Sequence, residues 1–377
     1  MEDKLALVFS GGGAKGAFGV GVLGQIITEL PKIRWHIVSG TSTGSLIAPF
    51  AALAAKDRRH YETLKDLYEK VEKKNIIKSN FGLGGIVRAA FDFPEGVFTF
   101  KKRLEKLIDE RLPRDFLEAL AASETVVATN AVSLQTGKLV ICTQERHRPS
   151  IEKWFAAHRE PGEEEEVSFL DFSEFKTAML GSSAIPGAID PIKHNNEQLV
   201  DGGVVDIAPL RTAIAAGATH ILIVLMSQRT SAVTKKKYSN IFKVGGRALE
   251  LITDEVVRND VKIARLVSHL SQLARHLTDA DEQLPPALAR WFSENRKEMA
   301  AMAGRRVIEL HVIEPEHHLG ETLEFNESTR PSGWPEKDEG DPTPIMQLRI
   351  SYGMKLAKQR LEADDGLRNM LKRFAAQ

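Results

Sequence analysis

The sequence predicts an α/β fold built around a parallel sheet, on three observations. An apolar run, Leu5–Phe9, leads straight into a glycine-rich loop, Ser10-Gly11-Gly12-Gly13-Ala14-Lys15-Gly16, and then into a helical pattern that Pro31 ends. A second short apolar run (Trp35, Ile37, Val38) turns at Gly40-Thr41-Ser42-Thr43-Gly44 into another helical pattern. A third apolar pair, Leu199 and Val200, ends in Asp201-Gly202-Gly203. Strand, loop and helix in that order mark a sheet whose connections cross over through helices.

The remaining elements follow in chain order. Residues 43–55 form a helix that Pro49 should kink or deprive of one hydrogen bond. Residues 60–74 form an amphipathic helix with Tyr61, Leu64, Leu67, Tyr68 and Val71 on one face. The Gly- and Phe-rich stretch 80–99 reads as a packed connection, with a lid or lipid-contacting patch as the alternative. A helix over 101–121 precedes strands at 125–131 and 138–142, joined by a Gln135-Thr136-Gly137 turn. Residues 159–168 read as an exposed acidic loop, in which consecutive carboxylates point apart and make a poor metal set. Helices follow at 175–180 and 209–216, then a buried strand at 220–225 and a polar loop containing Lys235, Lys236 and Lys237. Helices at 241–278 and 285–303, a last strand at 307–313 and a loop or lid over 314–344 lead to a C-terminal helix over 345–375, broken or bent near Gly353 and Gly366. No internal repeat or linker stands out. The expected organisation is one domain over 1–313, with its core motifs within 4–226, and an extension over 314–377 packed on it.

Composition is that of an ordinary globular chain: 377 residues, 42% apolar and 27% charged. Lysine plus arginine equals aspartate plus glutamate at 51 each, so net charge offers no argument for a nucleic-acid partner. A lone cysteine, Cys142, excludes an intrachain disulfide and a cysteine-based zinc site, and its apolar setting reads as structural. The first residues lack a signal-peptide pattern, and no apolar run reaches the roughly 18 residues of a spanning helix. The expected location is the cytoplasm, unless an export route that leaves no N-terminal mark is used.

Each glycine motif carries competing readings. Gly40-Thr41-Ser42-Thr43-Gly44 is a G-x-S-x-G pattern in strand–turn–helix context, which holds a serine at a strained corner with its hydroxyl exposed. The plainer reading is a turn in which Thr41 or Ser42 caps the helix. Gly11-x-Gly13-x-x-Gly16 fits a dinucleotide fingerprint, yet the second strand ends without the carboxylate that binds ribose. It also fails as a P-loop, because Ala17 and Phe18 follow Gly16. An oxyanion hole made of successive backbone N–H groups is a third reading, and a tight turn a fourth. Asp201-Gly202-Gly203 is either an active-site carboxylate at a strand end or a hairpin turn.

The order and placement of these motifs decide more than any one of them. With Ser182-Ser183-Ala184-Ile185-Pro186-Gly187 as a fourth, the sequence resembles the patatin-like phospholipase family over about residues 4–226. The resemblance implies a three-layer α/β/α sandwich and a Ser-Asp dyad. Ser42 would be the nucleophile and Asp201 the general base. Backbone N–H groups of Gly11, Gly12 and Gly13 would form the oxyanion hole, and Lys15, Gly16, Gly40, Gly44, Gly202 and Gly203 would support the motifs. The implied reaction is hydrolysis of acyl esters of phospholipids or lysophospholipids with no cofactor and no metal, leaving room for an activator or a homo-oligomer. Ile207 departs from the family, which often has asparagine shortly after Asp-Gly-Gly.

The mechanistic rival is a Ser-His-Asp triad, for which none of the 11 histidines is an evident third member. The functional rivals are a catalytically silent or activator-dependent lipid-binding regulatory module, a dinucleotide-binding protein, and an acyltransferase that passes the acyl group to an alcohol.

Overall fold

A computed structural model describes residues 2–71, 78–79, 98–99, 101–159, 164–186, 189–228, 241–279, 290–291, 295, 307–320 and 343–376. Several expectations lie outside these residues: nearly all of the stretch 80–99, the lysine triplet 235–237, most of a helix over 285–303, the middle of the loop 314–344, and Gly187.

The chain begins with β1 (Leu5–Phe9), α1 (Gly16–Glu29), β2 (Ile37–Thr41), α2 (Thr43–Ala54) and α3 (Arg59–Lys70). Two-residue strands β3 (Lys78–Ser79) and β4 (Phe98–Thr99) pair with each other. The expected single helix over 101–121 is two, α4 (Lys101–Arg111) and α5 (Arg114–Ala122). Pro113 separates them, because it lacks an N–H and drives the preceding residue out of helical geometry. Strands β5 (Val126–Ser133) and β6 (Leu139–Thr143) follow, then α6 (Arg148–Ala157) and β7 (Val167–Leu170). The acidic loop therefore ends earlier than expected: Val167 and Ser168 already pair with Leu139 and Val140. Next come α7 (Phe175–Ser182), β8 (Ile192–His194), β9 (Glu197–Asp201), α8 (Leu210–Ala215), β10 (His220–Val224), α9 (Ile241–Asp279) and β11 (Glu309–Ile313). The C-terminal helix is broken near Gly366, as expected, into α10 (Ile345–Ala363) and α11 (Asp365–Ala375), with Asp364 accepting the Leu367 N–H as the N-cap of α11. Gly353 does not break α10, which runs through it.

The main sheet has the order β11-β10-β1-β2-β5-β6-β7, with β8 and β9 attached beside β5. From β11 to β5 every neighbouring pair is parallel; β6 runs against β5, and β7 follows β6. Alternate strand residues feed two cores. Leu5, Leu7 and Phe9 face one side, covered by α1, α2, α3, α5, α7, α10 and α11. Ala6 and Val8 face the other, covered by α6, α8 and the Val257–Val261 part of α9. The result is three layers, helix on sheet on helix, as expected. Among the described residues no helix is long and apolar enough to cross a membrane.

The helix that starts at the glycine loop, α1, packs closely against α10. A Cβ on Gly21 would lie 2.0 Å from the Ile350 carbonyl oxygen, and one on Gly353 2.2 Å from that of Phe18. Each helix thus meets the other's backbone where it has no side chain. Arg349, fully buried on α10, donates from Nε and Nη2 to the Leu319 carbonyl at 2.9 and 2.6 Å. This fastens the C-terminal helix to the segment after β11. Gly21→Ala and Gly353→Ala should each lower stability by about 1–3 kcal/mol, the usual scale of overpacking. Thermal melts check this, and unchanged melting temperatures would mean the two backbones do not meet at these residues.

Candidate active site

The site forms where β1 and β2 end side by side, with Phe9 opposite Gly40. After β1 the chain makes a turn only glycines adopt readily, with φ 157° at Gly12 and 56° at Gly13, and enters α1 without a capping side chain. Ser10 pins the start: its Oγ donates to the Gly11 carbonyl and accepts the Met226 N–H. Lys15 is buried and reaches Ser227 Oγ at 3.2 Å, tying the loop to the chain after β10. One expectation needs correction. The Gly11 N–H donates to the Ile207 carbonyl at 2.9 Å, so it points into the fold and is not available to an oxyanion. Gly12 and Gly13 remain. Ile207, the departure from the family pattern, also sets its Cδ1 where a Cβ on Gly11 or Gly203 would fall, so it joins the glycine loop to the Asp-Gly-Gly turn.

After β2, Ser42 adopts φ 55° and ψ −124°, a strained conformation for a residue with a side chain. Holding it costs about 1–3 kcal/mol, met by the surroundings. The flanking glycines make the corner sterically feasible: a Cβ on Gly40 would lie 2.1 Å from the Gly44 carbonyl oxygen, and one on Gly44 2.3 Å from that of Phe9. Hydrogen bonds then fix it. The Ser42 N–H donates to Ser182 Oγ at 2.9 Å, and the Ser42 carbonyl accepts both the N–H and the hydroxyl of Ser45. The capping alternative does not hold for Ser42, whose side chain makes no bond to the helix it precedes. Its hydroxyl instead lies close enough to Asp201 to lower the pKa of that carboxyl.

Asp201 arrives by a route the sequence does not disclose. The sequence pattern suggests a parallel strand beneath it, but β9 runs antiparallel to β5, returning from a short hairpin with β8. β2 pairs with β5 as far as Thr41 opposite Asn130, and β9 takes over one residue later with Asp201 opposite Ala131. The two strands meet tip to tip beside β5, which brings Ser42 to Asp201. The Asp-Gly-Gly segment is no hairpin turn. It opens a short 3-10 turn over Gly202–Val204 in which Asp201 Oδ1 accepts the Gly203 N–H at 2.8 Å. Burial pushes the Asp201 carboxyl up to about 6, against the opposing pull of the Ser42 hydroxyl and the Gly203 amide.

Ser42, Thr43, Gly13 and Ala14 are among the residues that line an open cleft. The rest of its wall is mostly apolar, from Leu46 on α2, Leu67 and Tyr68 on α3, Leu104 and Leu107 on α4, and Ile185 and Ile189 beyond α7. The histidines considered for a triad are engaged elsewhere: His194 with Glu174, His220 and His311 with Glu309, and His317 beside Tyr352. No histidine is among the groups that shift Asp201. Among the described residues no three His, Cys, Asp or Glu side chains converge as a metal set would.

A patatin-like phospholipase family model matches residues 7–214, more than half of the chain. The chain belongs to this family. Among solved structures, the crystal structure of VipD from Legionella pneumophila aligns over 96% of this chain and 67% of its own, at 15% identity and a TM-score of 0.43. So loose a superposition supports no functional conclusion.

Three residues that support this patatin-like site have no role readable from sequence. Ser182 bridges the Ser42 N–H to the Asn130 carbonyl. Asn130 Nδ2 donates to Asp206 Oδ2 at 3.1 Å, and Thr41 Oγ1 donates to the Asp206 carbonyl. Asp206 closes the turn that Asp201 opens. Its burial, with the nearby Asp260 carboxylate adding to it, pushes its carboxyl up to about 8. Only the convergence of distant strands reveals these contacts. A carboxyl whose folded pKa exceeds its unfolded value of about 3.9 contributes stability that is whole below that value and lost as pH rises through the folded one. Asp206→Asn should therefore gain stability over wild type as pH rises from 5 to 8.5, read by melting temperature. A constant difference across that range would refute it.

Proposed function

We propose that this patatin-like phospholipase hydrolyses acyl esters of phospholipids or lysophospholipids through a Ser42–Asp201 dyad. The observation that carries the reading is Ser42, on the wall of a mostly apolar cleft, next to the buried Asp201, whose carboxyl responds to the Ser42 hydroxyl. A serine hydroxyl is a weak nucleophile at neutral pH and needs a base within hydrogen-bond reach. With its pKa near 6, Asp201 is ionised at pH 7 yet basic enough to accept a proton in the transition state.

In the first step Ser42 Oγ attacks the ester carbonyl carbon while Asp201 takes the hydroxyl proton. The C=O π electrons move to the oxygen, which the Gly12 and Gly13 N–H groups and the N-terminus of α1 stabilise. The carbonyl re-forms, the C–O bond to the alcohol breaks, and Asp201 returns its proton to the leaving oxygen. In the second step Asp201 takes a proton from water, hydroxide adds to the acyl-serine, and collapse expels Ser42 Oγ, which regains the proton. The apolar wall between α3 and α4 suits the acyl chain. Peripheral contact with a membrane follows from such a substrate.

The test is a mixed phospholipid and lysophospholipid panel with released fatty acid read by mass spectrometry. Wild type should release acid and a fluorophosphonate should label Ser42. Asp201→Asn should lose roughly 10²–10⁴ in rate, and Ser42→Ala should lose both turnover and label. The kcat/KM profile should fall below about pH 6, where Asp201 becomes protonated. Turnover that survives Ser42→Ala would refute the dyad. Labelling of Ser42 without turnover would favour an activator-dependent or silent module, and acyl transfer to added alcohol would favour an acyltransferase. The cleft gives a second test. Leu104→Trp should reduce turnover of long-chain esters at least about tenfold while sparing short-chain esters, because filling the wall costs only chains that reach it. An equal loss for every chain length would remove the acyl chain from this cleft.

A further inference from the structure

The end of α7 carries a side chain whose connections reach both partners of the proposed dyad. Ser182 is fully buried. Its hydroxyl accepts the Ser42 N–H at 2.9 Å and donates its one hydrogen to the Asn130 carbonyl at 2.6 Å. A hydroxyl is suited to that place, since it holds one donor and two acceptor positions on a single atom and can join an N–H to a C=O. The same Asn130 carbonyl supports the other half of the site. A Cβ on Gly202 would lie 2.3 Å from it, so the turn that begins at Asp201 rests directly on that peptide. Asn130 is also the register partner of Thr41, the last residue before the elbow.

We propose that Ser182 is a positioning residue: its hydroxyl clamps the Ser42 N–H to the Asn130 carbonyl and so holds the strained elbow at the place where Ser42 Oγ meets Asp201. This rests on the dyad reading above. The clamp explains how Ser42 keeps φ 55°. Three elements, β2, β5 and α7, meet at one oxygen. It also fixes the use of the Ser42 N–H, which is bound to Ser182 and is no part of an oxyanion hole.

The test compares Ser182→Ala and Ser182→Cys with wild type. The alanine variant loses the bridge. Its kcat should fall about 10- to 100-fold with KM for a short-chain ester changed less than about threefold. The rate of Ser42 labelling by a fluorophosphonate should fall in parallel. The acidic limb of the pH profile should move upward, because the Ser42 hydroxyl that lowers the Asp201 pKa is less closely held. Ser182→Cys keeps the shape of the side chain with a larger atom that is a weaker donor and acceptor; it should fall between the two and serves if the alanine variant does not accumulate. A crystal structure of either variant should show Ser42 relaxed out of the positive-φ region.

A lower melting temperature with unchanged kcat, labelling rate and pH limb would make Ser182 merely structural and overturn the proposal. So would a raised KM at constant kcat, or a Ser42 that keeps its φ without the hydroxyl. Failure of the dyad reading looks different: wild type is then inactive or is labelled elsewhere. The crystallographic φ of Ser42 in the variant still decides whether Ser182 is a clamp.

Discussion

The structure depends on two strands ending against each other along one neighbour. β2 climbs beside β5 and stops at Thr41; β9 descends beside the same strand and stops at Asp201. Their ends occupy adjacent registers, so Ser42 and Asp201 are neighbours because of backbone pairing and not because either side chain reaches far. Around this junction the remaining parts fall into place. The glycine loop lies next to it because β1 pairs with β2. Ile207 joins the loop to the Asp201 turn, and Ser182 joins the elbow to β5. A site assembled from strand ends inherits the rigidity of the sheet, which suits chemistry that tolerates little misplacement.

Burial raises two carboxyls on one short turn by different amounts. Asp201 and Asp206 are both buried. Asp201 lies near the Ser42 hydroxyl, receives the Gly203 amide and settles near 6. Asp206 receives the Asn130 amide, faces Asp260 and rises to about 8. Asp206 therefore keeps its proton to higher pH than Asp201 does. Environments that push paired acids apart in this way assign their roles.

Local motifs were the legible part of the sequence. The glycine loop, the G-x-S-x-G corner and most helix limits follow from short-range rules, and the structure has them where the spacing puts them. What escaped was long-range or competitive. Strand direction at β9 depends on the β8 hairpin, whose turn at Asn195 has positive φ without a glycine to announce it. The Gly11 N–H has a partner nearly two hundred positions away, at Ile207. Pro113 was readable in principle, since it stands in a stretch of otherwise continuous helical periodicity that it must interrupt. Gly353 misled for the opposite reason: its missing side chain makes room for α1, so a residue that weakens helices marks a helix contact.

That contact also sets an order of events during synthesis. The family match ends at residue 214, but α1, which leads out of the glycine loop, is covered by residues 345–363. On the ribosome the loop, the elbow and the carboxylate all emerge before that cover exists. Until residues 345–363 are made, the face of α1 around Phe18 and Gly21 lacks the cover they give it. The nascent chain thus holds the chemical groups of the site well before it holds the packing that keeps them in register.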